Sequence, residues 1–292
     1  LDYDPRVRID LHIHSTASDG TMTPAEILEH ALALKLGAIA ITDHDSINGS
    51  RDMMALGVPP SLGFITGVEI SAGPPPTYRK PGSFHILGYR IDLTDAALNR
   101  SLTRLQHARE NRNPQILAKL EKLGITITPK ELTAAAGDGQ AGRPHIANIL
   151  IAKGIVPTIE DAFDRYLGTD KAAYADKYRI GCAKALQLIA AAGGIAVLAH
   201  PGLLTLDSDQ HLENILRELK DMGLAGIEVF YPEHSRQQTR RFIELADQLD
   251  LLITGGSDFH GSIHPGIEMG SGKGDLLVPY ELYEKLIRFQ KQ

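Results

Sequence analysis

Short apolar runs that end on polar residues recur along the chain: Ile9-Asp10-Leu11-His12, Ala38 to Thr42, Phe64 to Val68, Phe84 to Tyr89, Ile195 to Ala199, Gly226 to Phe230 and Leu251 to Thr254. Runs of this length, rich in branched aliphatic residues and bounded by turn-forming ones, predict buried strands. Between several of them the apolar spacing becomes helical: Pro24 to Leu36, with Thr23 as N-cap and Gly37 as stop, then Gln210 to Met222 and Ser235 to Leu249. Seven strands alternating with helices predict a parallel α/β architecture. A closed, distorted (β/α)7 barrel fits better than an open sheet, because His12, His44, Glu69, His85, His200 and Asp258 all fall at or near strand ends. In β/α barrels the active site gathers at the C-terminal strand ends.

From residue 100 to 179 this rhythm breaks. The patterns there are helical, Leu102 to Leu123, Pro144 to Lys153 and Thr158 to Leu167, with Gly and Pro between them, and the interval is too long for one crossover. The expected organisation is a discontinuous barrel of residues 1–99 and 180–292, capped at its mouth by a helical insertion of residues 100–179. At 292 residues and 43% apolar content the chain can bury a sizeable core. A single cysteine, Cys182, excludes a disulfide framework and a thiolate-based zinc site. With no signal-like start either, a reducing cytoplasm is the expected home. The longest apolar candidate, around Ile189 to Leu198, is interrupted by Gly193 and Gly194, so no membrane association is expected. A net charge of −6 argues against non-specific binding of duplex DNA. Residues 100–179 nevertheless carry thirteen Lys/Arg against nine Asp/Glu. An anionic ligand held between a metal cluster and a basic neighbour would suit this distribution.

The candidate chemistry begins with His12-Ile13-His14, which sets two imidazoles on one side of an extended strand. Downstream come Asp19-Gly20, Thr42-Asp43-His44-Asp45, Gly67-Val68-Glu69, Phe84-His85-Ile86, Ala199-His200-Pro201 and Gly256-Ser257-Asp258-Phe259-His260. Imidazole and carboxylate donors in this mixture are those that bind Mn, Zn or Fe. No Gly-x-Ser-x-Gly elbow appears and Cys182 has no nucleophile context.

These elements, in this order, resemble the PHP (polymerase and histidinol phosphatase) family of phosphoesterases. Together with Gly142-Arg143-Pro144-His145 in the insertion, they look like the branch that contains 3′,5′-nucleoside bisphosphate phosphatases and 5′-to-3′ exoribonucleases. The resemblance implies three divalent ions, with Mn²⁺ expected and Zn²⁺ or Fe²⁺ as alternatives. One would take His12, His14, Glu69 and Asp258. A second would share Glu69 and add His85 and His200; a third would take Asp19, His44 and His260. Asp19, a harder donor than the His found there in some relatives, favours Mn²⁺. His85 has a second reading as a buried, hydrogen-bonded core residue.

The implied reaction is hydrolysis of the 3′-phosphate of a nucleoside 3′,5′-bisphosphate, adenosine 3′,5′-bisphosphate giving AMP and phosphate, with trimming of short 5′-phosphorylated oligoribonucleotides as an extension. Asp19 and His264 are the candidate catalytic residues, His264 as proton donor to the departing ribose oxygen, with His234 as its rival. Arg143, His145, Lys177, Arg179, Ser257 and His264 are the candidate substrate contacts; the plainer reading of Arg143, Lys177 and Arg179 is a solvated basic face. Asp43 and Asp45 either orient His44 and its neighbours or cap a helix starting near Ser46. Two other functions remain open at this point. One is a phosphomonoesterase for another metabolite such as histidinol phosphate, and the other is a metal-dependent nucleotide-binding module without turnover.

Overall fold

The computed structural model describes residues 7–78, 80, 83–137 and 139–290. The predicted strands form β1 (Ile9–Ile13), β2 (Ala38–Ile41), β3 (Gly63–Gly73), β4 (His85–Tyr89), β6 (Ile195–Leu198), β7 (Gly226–Phe230) and β8 (Leu252–Gly255), joined by a two-residue β5 (Ile180–Gly181) that pairs with the end of β3. The strands lie in the order β1-β2-β3-β4-β6-β7-β8. The sheet curls until Ile13 pairs in parallel with Phe259, just beyond β8, where the His14 amide donates to the Phe259 carbonyl at 2.9 Å.

One feature departs from the all-parallel expectation. β4 runs antiparallel to both β3 and β6. A parallel neighbour needs a crossover of a dozen or more residues, usually helical, and only residues 74–84 separate β3 from β4. The reversal has a consequence for His85. As the first residue of β4, it lies at the rim where the parallel strands end, opposite Ser71 near the end of β3.

The helices are α1 (Pro24–Ala33), α2 (Asn48–Leu56), α3 (Ala96–Lys122), α4 (Pro129–Ala136), α5 (Arg143–Ala152), α6 (Ile159–Ala162), α7 (Cys182–Ala191), α8 (Asp209–Asp221), α9 (Arg236–Gln248) and α10 (Tyr280–Arg288). α1 starts where predicted, with a capping box between Thr23 and Glu26. Its end comes earlier than Leu36, at a turn that includes Lys35 with φ of 55°. α3 begins before Leu102 because Asp95 caps it, accepting the Leu98 amide at 2.7 Å. α4 and α10 lie outside the predicted helices, and the segment Phe163–Leu167 is a π-turn continuing α6.

Inside the curl, apolar side chains from β1, β2, β3, β4 and β6 meet Leu282 and Leu286 of α10. Ile9 and Leu11 belong to this inner cluster, whereas Ile13 packs outside with Ile27, Ala31 and Met53. The change of side falls where the β1–β2 register shifts, between Asp10 and Ile13. Such an irregularity re-aims side chains next to an active site; here it lies around His12. The helices between β4 and β6 divide their packing. Leu98, Leu102 and Leu105 of α3 join the barrel's outer core, while Ile116, Leu117 and Leu120 join a separate cluster with Leu132, Ile146, Leu150 and Leu167.

Candidate active site

His12 and His14 alternate with Ile13 and are fully buried at the end of β1. Two glycines make room for them. A Cβ at Gly256 would stand 2.3 Å from the His12 amide nitrogen, and one at Gly20 would stand 2.2 Å from the His14 carbonyl oxygen. His12 Nδ1 bonds Glu228 Oε1 at 2.9 Å, which turns Nε2 toward Asp258 Oδ1 at 3.3 Å and Glu69 Oε2 at 3.6 Å. His14 Nε2 faces the same two carboxylates at 3.0 and 3.4 Å. Behind it, Ser18 Oγ lies 3.4 Å from His14 Nδ1 and donates to Asp43 Oδ1 at 2.6 Å.

Glu69 is the hub. Its Oε1 lies 2.8 Å from His85 Nδ1 and 2.9 Å from His200 Nε2, and these two nitrogens are 3.2 Å apart. Its Oε2 lies 2.7 Å from His44 Nδ1. On the far side, Asp19 Oδ1 is 3.5 Å from His260 Nε2 and 3.7 Å from His14 Nδ1. Donor atoms within 4.8 Å of one another form three groups: His12, His14, Glu69 and Asp258; His14, Asp19, His44 and His260; and His44, Glu69 and His85. The structure thus brings all nine sequence-predicted donors into one cluster. The first group matches the expected set. The second adds His14 to the expected trio, and in the third His44 stands with Glu69 and His85, while His200 lies against the same Glu69 oxygen as His85.

The cluster fits divalent cations on its own geometry. Among the described residues, His12 Nε2, His14 Nε2, Asp19 Oδ1, His44 Nδ1, Glu69 Oε2, His200 Nδ1 and Asp258 Oδ1 are buried and make no hydrogen bond. His44 Nδ1 is close to Glu69 Oε2 but lacks the alignment a hydrogen bond requires. A buried polar atom left unsatisfied costs roughly 1–3 kcal/mol, so this concentration of them suits bound cations better than an internal network. Backbone strain accumulates at the same place: His200, Asp258 and Asp45 have φ of 27°, 55° and 54°. Non-glycine residues hold such conformations only when their surroundings over-determine them, often at functional sites.

Charge reinforces the arrangement. Burial opposes the charged form of Glu69, yet His44, His85 and His12 hold its pKa well below the usual carboxylate range. Asp258 is likewise pulled down against burial, by His12 and His260, and Asp19 by His44 and His260. The imidazoles split. Burial drives His44 down to about 4, whereas at His14 burial is overcome by the carboxylates of Asp258 and Glu69, which raise the pKa to about 10.

A cavity of about 180 Å³ opens onto this cluster, lined by Asp19, His44, His85, Asp258, His260 and His264 and by the cations Arg109, Arg112, Arg143, Lys177 and Arg179, with Arg109 Nη1 3.7 Å from Asp19 Oδ2. Lys177 Nζ bonds Asp45 Oδ2 at 3.1 Å and Ser71 Oγ at 2.7 Å, and Arg109 Nη2 reaches the same Asp45 oxygen at 3.3 Å. Arg143 donates to the Leu167 carbonyl at 3.1 Å and lies over the rings of Phe163 and Tyr174, at 5.2 and 5.9 Å. Burial and the crowding of positive charge act together on these side chains. Burial, then Arg109, lowers Lys177 to about 7; burial, then Arg109, lowers Arg112 to about 9. Burial also lowers Arg143, to about 10.

Several sequence-predicted residues sit differently. His145 does not line the cavity, and its Nδ1 accepts the Gly142 amide at 3.1 Å. Ser257 is buried, with its hydroxyl on Asp10 Oδ2 at 2.5 Å, and does not line the cavity either. His234 is not a rival proton donor: Nδ1 donates to the Val229 carbonyl at 2.8 Å and Nε2 accepts the Gly202 amide at 3.1 Å. Asp43 ties down the Ser15–Ser18 turn rather than capping a helix, and Asp45 is the counter-ion of Lys177 and Arg109.

Four residues were not foreseen. Arg109 and Arg112 lie mid-helix in α3 and are buried. Glu228 bonds both the His12 ring and the His200 amide, the latter at 2.7 Å, and Tyr231 donates to Asp258 Oδ2 at 3.0 Å. Glu228 had a signal, an acid inside the apolar strand Gly226–Phe230.

The comparisons agree with this geometry. The PHP domain family matches residues 10–169. The chain is 34% identical to a 5′-3′ exoribonuclease of Haemophilus influenzae over 87% of this chain and 90% of that one. To a 3′,5′-nucleoside bisphosphate phosphatase of Chromobacterium violaceum it is 32% identical over 90% of each. Its fold is similar to a crystal structure of a proposed metal-dependent phosphoesterase from Bifidobacterium adolescentis, with a TM-score of 0.83 and 28% identity over 97% of this chain and 96% of the other. Among the described residues no helix is long and apolar enough to cross a membrane. A family match over more than half the chain, together with this donor cluster, leads to one conclusion: the chain belongs to the PHP family of metal-dependent phosphoesterases.

Proposed function

We propose that the chain removes the 3′-phosphate of nucleoside 3′,5′-bisphosphates, adenosine 3′,5′-bisphosphate giving 5′-AMP and phosphate, with Mn²⁺ as its metal. One observation carries this reading: a single cavity is lined both by the donor cluster and by Arg109, Arg112, Arg143, Lys177 and Arg179. With Asp45 set against Lys177 and Arg109, and Asp176 against Arg179, the cations of Arg112 and Arg143 add charge beyond what a phosphate held by metal ions requires, and this matches a substrate with a second phosphate. The names of the two relatives support the same substrate class.

His12, His14, Glu69 and Asp258, then Glu69 with His85 and His200, then Asp19, His44 and His260, would hold the ions. Asp19 favours Mn²⁺ as the harder donor. Bound there, divalent ions supply an activated water and neutralise charge on the phosphoryl oxygens. The protein's own groups do the rest. Glu228 holds the His12 ring and the His200 amide, and Tyr231 holds Asp258, so the donors keep their orientation through the reaction. Arg143, steadied by Phe163 and Tyr174, binds the 5′-phosphate with Lys177, Arg179 and Arg112, which directs the 3′-phosphate toward the cluster. Half-buried His264, its ring 5.2 Å from that of His260, donates a proton to the departing O3′.

The experiment is phosphate release with Mn²⁺ from adenosine 3′,5′-bisphosphate, 5′-AMP and histidinol phosphate, with nucleotide products separated. Preference for the bisphosphate with 5′-AMP as product is expected. Recovery of 3′-AMP would reverse the proposed orientation, and a preference for histidinol phosphate would overturn the reading.

A further inference from the structure

A polar cavity of about 520 Å³ lies against a different face of α3 from the catalytic one. Gln106, Glu110 and Asn113, spaced i, i+4 and i+7 along the helix, line it, whereas Arg109 and Arg112 line the catalytic cavity. The rest of its wall joins two parts of the molecule. Thr16, in the turn after β1, and Asp52 of α2 come from the barrel, and Gln140 comes from the segment that leads into α5.

The chemistry of this cavity is one-sided. No Lys, Arg or His lines it, and the carboxylates of Asp52 and Glu110 stand exposed in its wall. Three carboxamides are left as acceptors because their nitrogens are taken. Gln106 Nε2 donates to the Asp45 carbonyl at 2.9 Å, Asn113 Nδ2 to the Ala141 carbonyl at 2.9 Å and Gln140 Nε2 to the Gln106 carbonyl at 3.3 Å. Asn113 is only 6% exposed, and its Oδ1, like Gln140 Oε1, is buried without a hydrogen-bond partner. Buried acceptors left open cost stability until a donor reaches them.

Acceptors and carboxylates without a cation among them suit a ligand rich in donors and positive charge. A bare metal ion of the oxygen-seeking kind gathers about six to eight oxygens at about 2.0–2.6 Å, and a cavity of this width does not close round one ion. An alkylammonium group offers three donors, and a flexible chain can carry one at each end. We propose that this cavity binds an aliphatic di- or polyamine, one ammonium on the carboxamide oxygens and another on the carboxylates of Asp52 and Glu110. Occupancy would act on a seam. The Gln140 amide donates to the Ser18 carbonyl at 2.9 Å, next to Asp19, and a Cβ at Gly139 would stand 2.8 Å from the Thr16 carbonyl oxygen. An amine seated there holds the segment leading to Arg143 against the turn that carries Asp19.

The test is calorimetric titration of spermidine into the protein with Mn²⁺ present and no substrate, in wild type, Glu110→Lys and Asp52→Lys, with hydrogen exchange followed at residues 139–141. Wild type is expected to bind one spermidine per chain and to exchange more slowly at 139–141 when it does. Each charge reversal should weaken binding by at least about tenfold, since it replaces an attraction by a repulsion. Rates on adenosine 3′,5′-bisphosphate without spermidine should stay within about twofold of wild type, because both side chains are exposed and outside the catalytic cavity. Absence of saturable binding overturns the proposal and leaves the open acceptors to water. Binding unchanged by either reversal, or exchange at 139–141 unchanged on binding, places the amine elsewhere on the chain and overturns it too. Displacement of spermidine by Mg²⁺ as readily as by putrescine, at equal ionic strength, would make this a site for an inorganic cation and contradict the amine assignment.

Discussion

The two sets of side chains that line the cavity, a donor wall and a cation wall, are built by different means. The donor wall stands on strand ends: His12 and His14 leave β1, Glu69 lies within β3, His85 opens β4 and His200 and Asp258 follow β6 and β8. Three of these donors are also held from behind, His12 by Glu228, His14 by Ser18 and Asp258 by Tyr231. The cation wall stands on α3, α5 and the segment before β5. Its charges reach the cavity on long side chains, steadied by Asp45, Asp176 and aromatic faces. The difference teaches a division of labour, with chemistry fixed in the rigid sheet and substrate choice carried by the helices. In other folds too, a scaffold positions the chemistry while the variable segments over it choose the ligand.

The largest effects should come from breaking the donor wall. Asp19→Ala and His260→Ala are each expected to lower kcat/KM by at least about a thousand-fold, several kcal/mol of charge stabilisation at about 1.4 kcal/mol per decade. Metal content by elemental analysis should fall while the circular dichroism spectrum is retained. Full metal stoichiometry with a wild-type rate in either variant would remove the second donor group from the site.

Next in size is the support behind the donors. Glu228→Gln keeps the shape but weakens the hold on the His12 ring and the His200 amide, and the expected loss in metal affinity is about 10–100-fold. A competition titration against a chelator reads it. Unchanged affinity would make Glu228 a packing residue only.

The metal-free cluster is also a proton store. The His14 pKa, raised to about 10, leaves the ring charged at pH 7. Metal must displace that proton, so apparent affinity should rise with pH, by about tenfold per unit for each proton released, until the ring deprotonates unaided. Calorimetry in buffers of different ionisation enthalpy counts the protons. Zero release at pH 7 would contradict a protonated His14. Smallest of all, His234→Ala should cost about 1 kcal/mol of stability through its lost hydrogen bonds and leave kcat unchanged. A large fall in kcat with normal stability would restore His234 as a catalytic candidate.

The same contrast explains what could be read in the chain. The donors were legible because each sits in a short motif at the end of an apolar run, and strand ends converge in a barrel whatever their separation in sequence. The direction of β4 was not, since apolar periodicity carries no polarity and only the short β3–β4 link betrayed it. Arg109 and Arg112 were hidden for a different reason. Arginines in the middle of a charged helix have the pattern of a solvated face, and only the packing of α3 over the barrel mouth buries them. The placement of His145 and Ser257 was not legible either, because proximity to a motif is not orientation. Neither lines the cavity: Gly142 takes His145 Nδ1 and Asp10 takes the Ser257 hydroxyl.

The division of labour is tested most directly at Arg143. The measurement is the ratio of kcat/KM for adenosine 3′,5′-bisphosphate to that for a phosphomonoester lacking a second phosphate, in wild type and in Arg143→Ala, with saturating Mn²⁺. A charge-assisted phosphate contact of about 1.5–3 kcal/mol predicts that the ratio falls about ten- to a hundred-fold while the monoester rate barely moves. A ratio unchanged by the substitution would contradict the account, leaving the donor cluster as a phosphoesterase centre but removing Arg143 as the group that recognises the second phosphate.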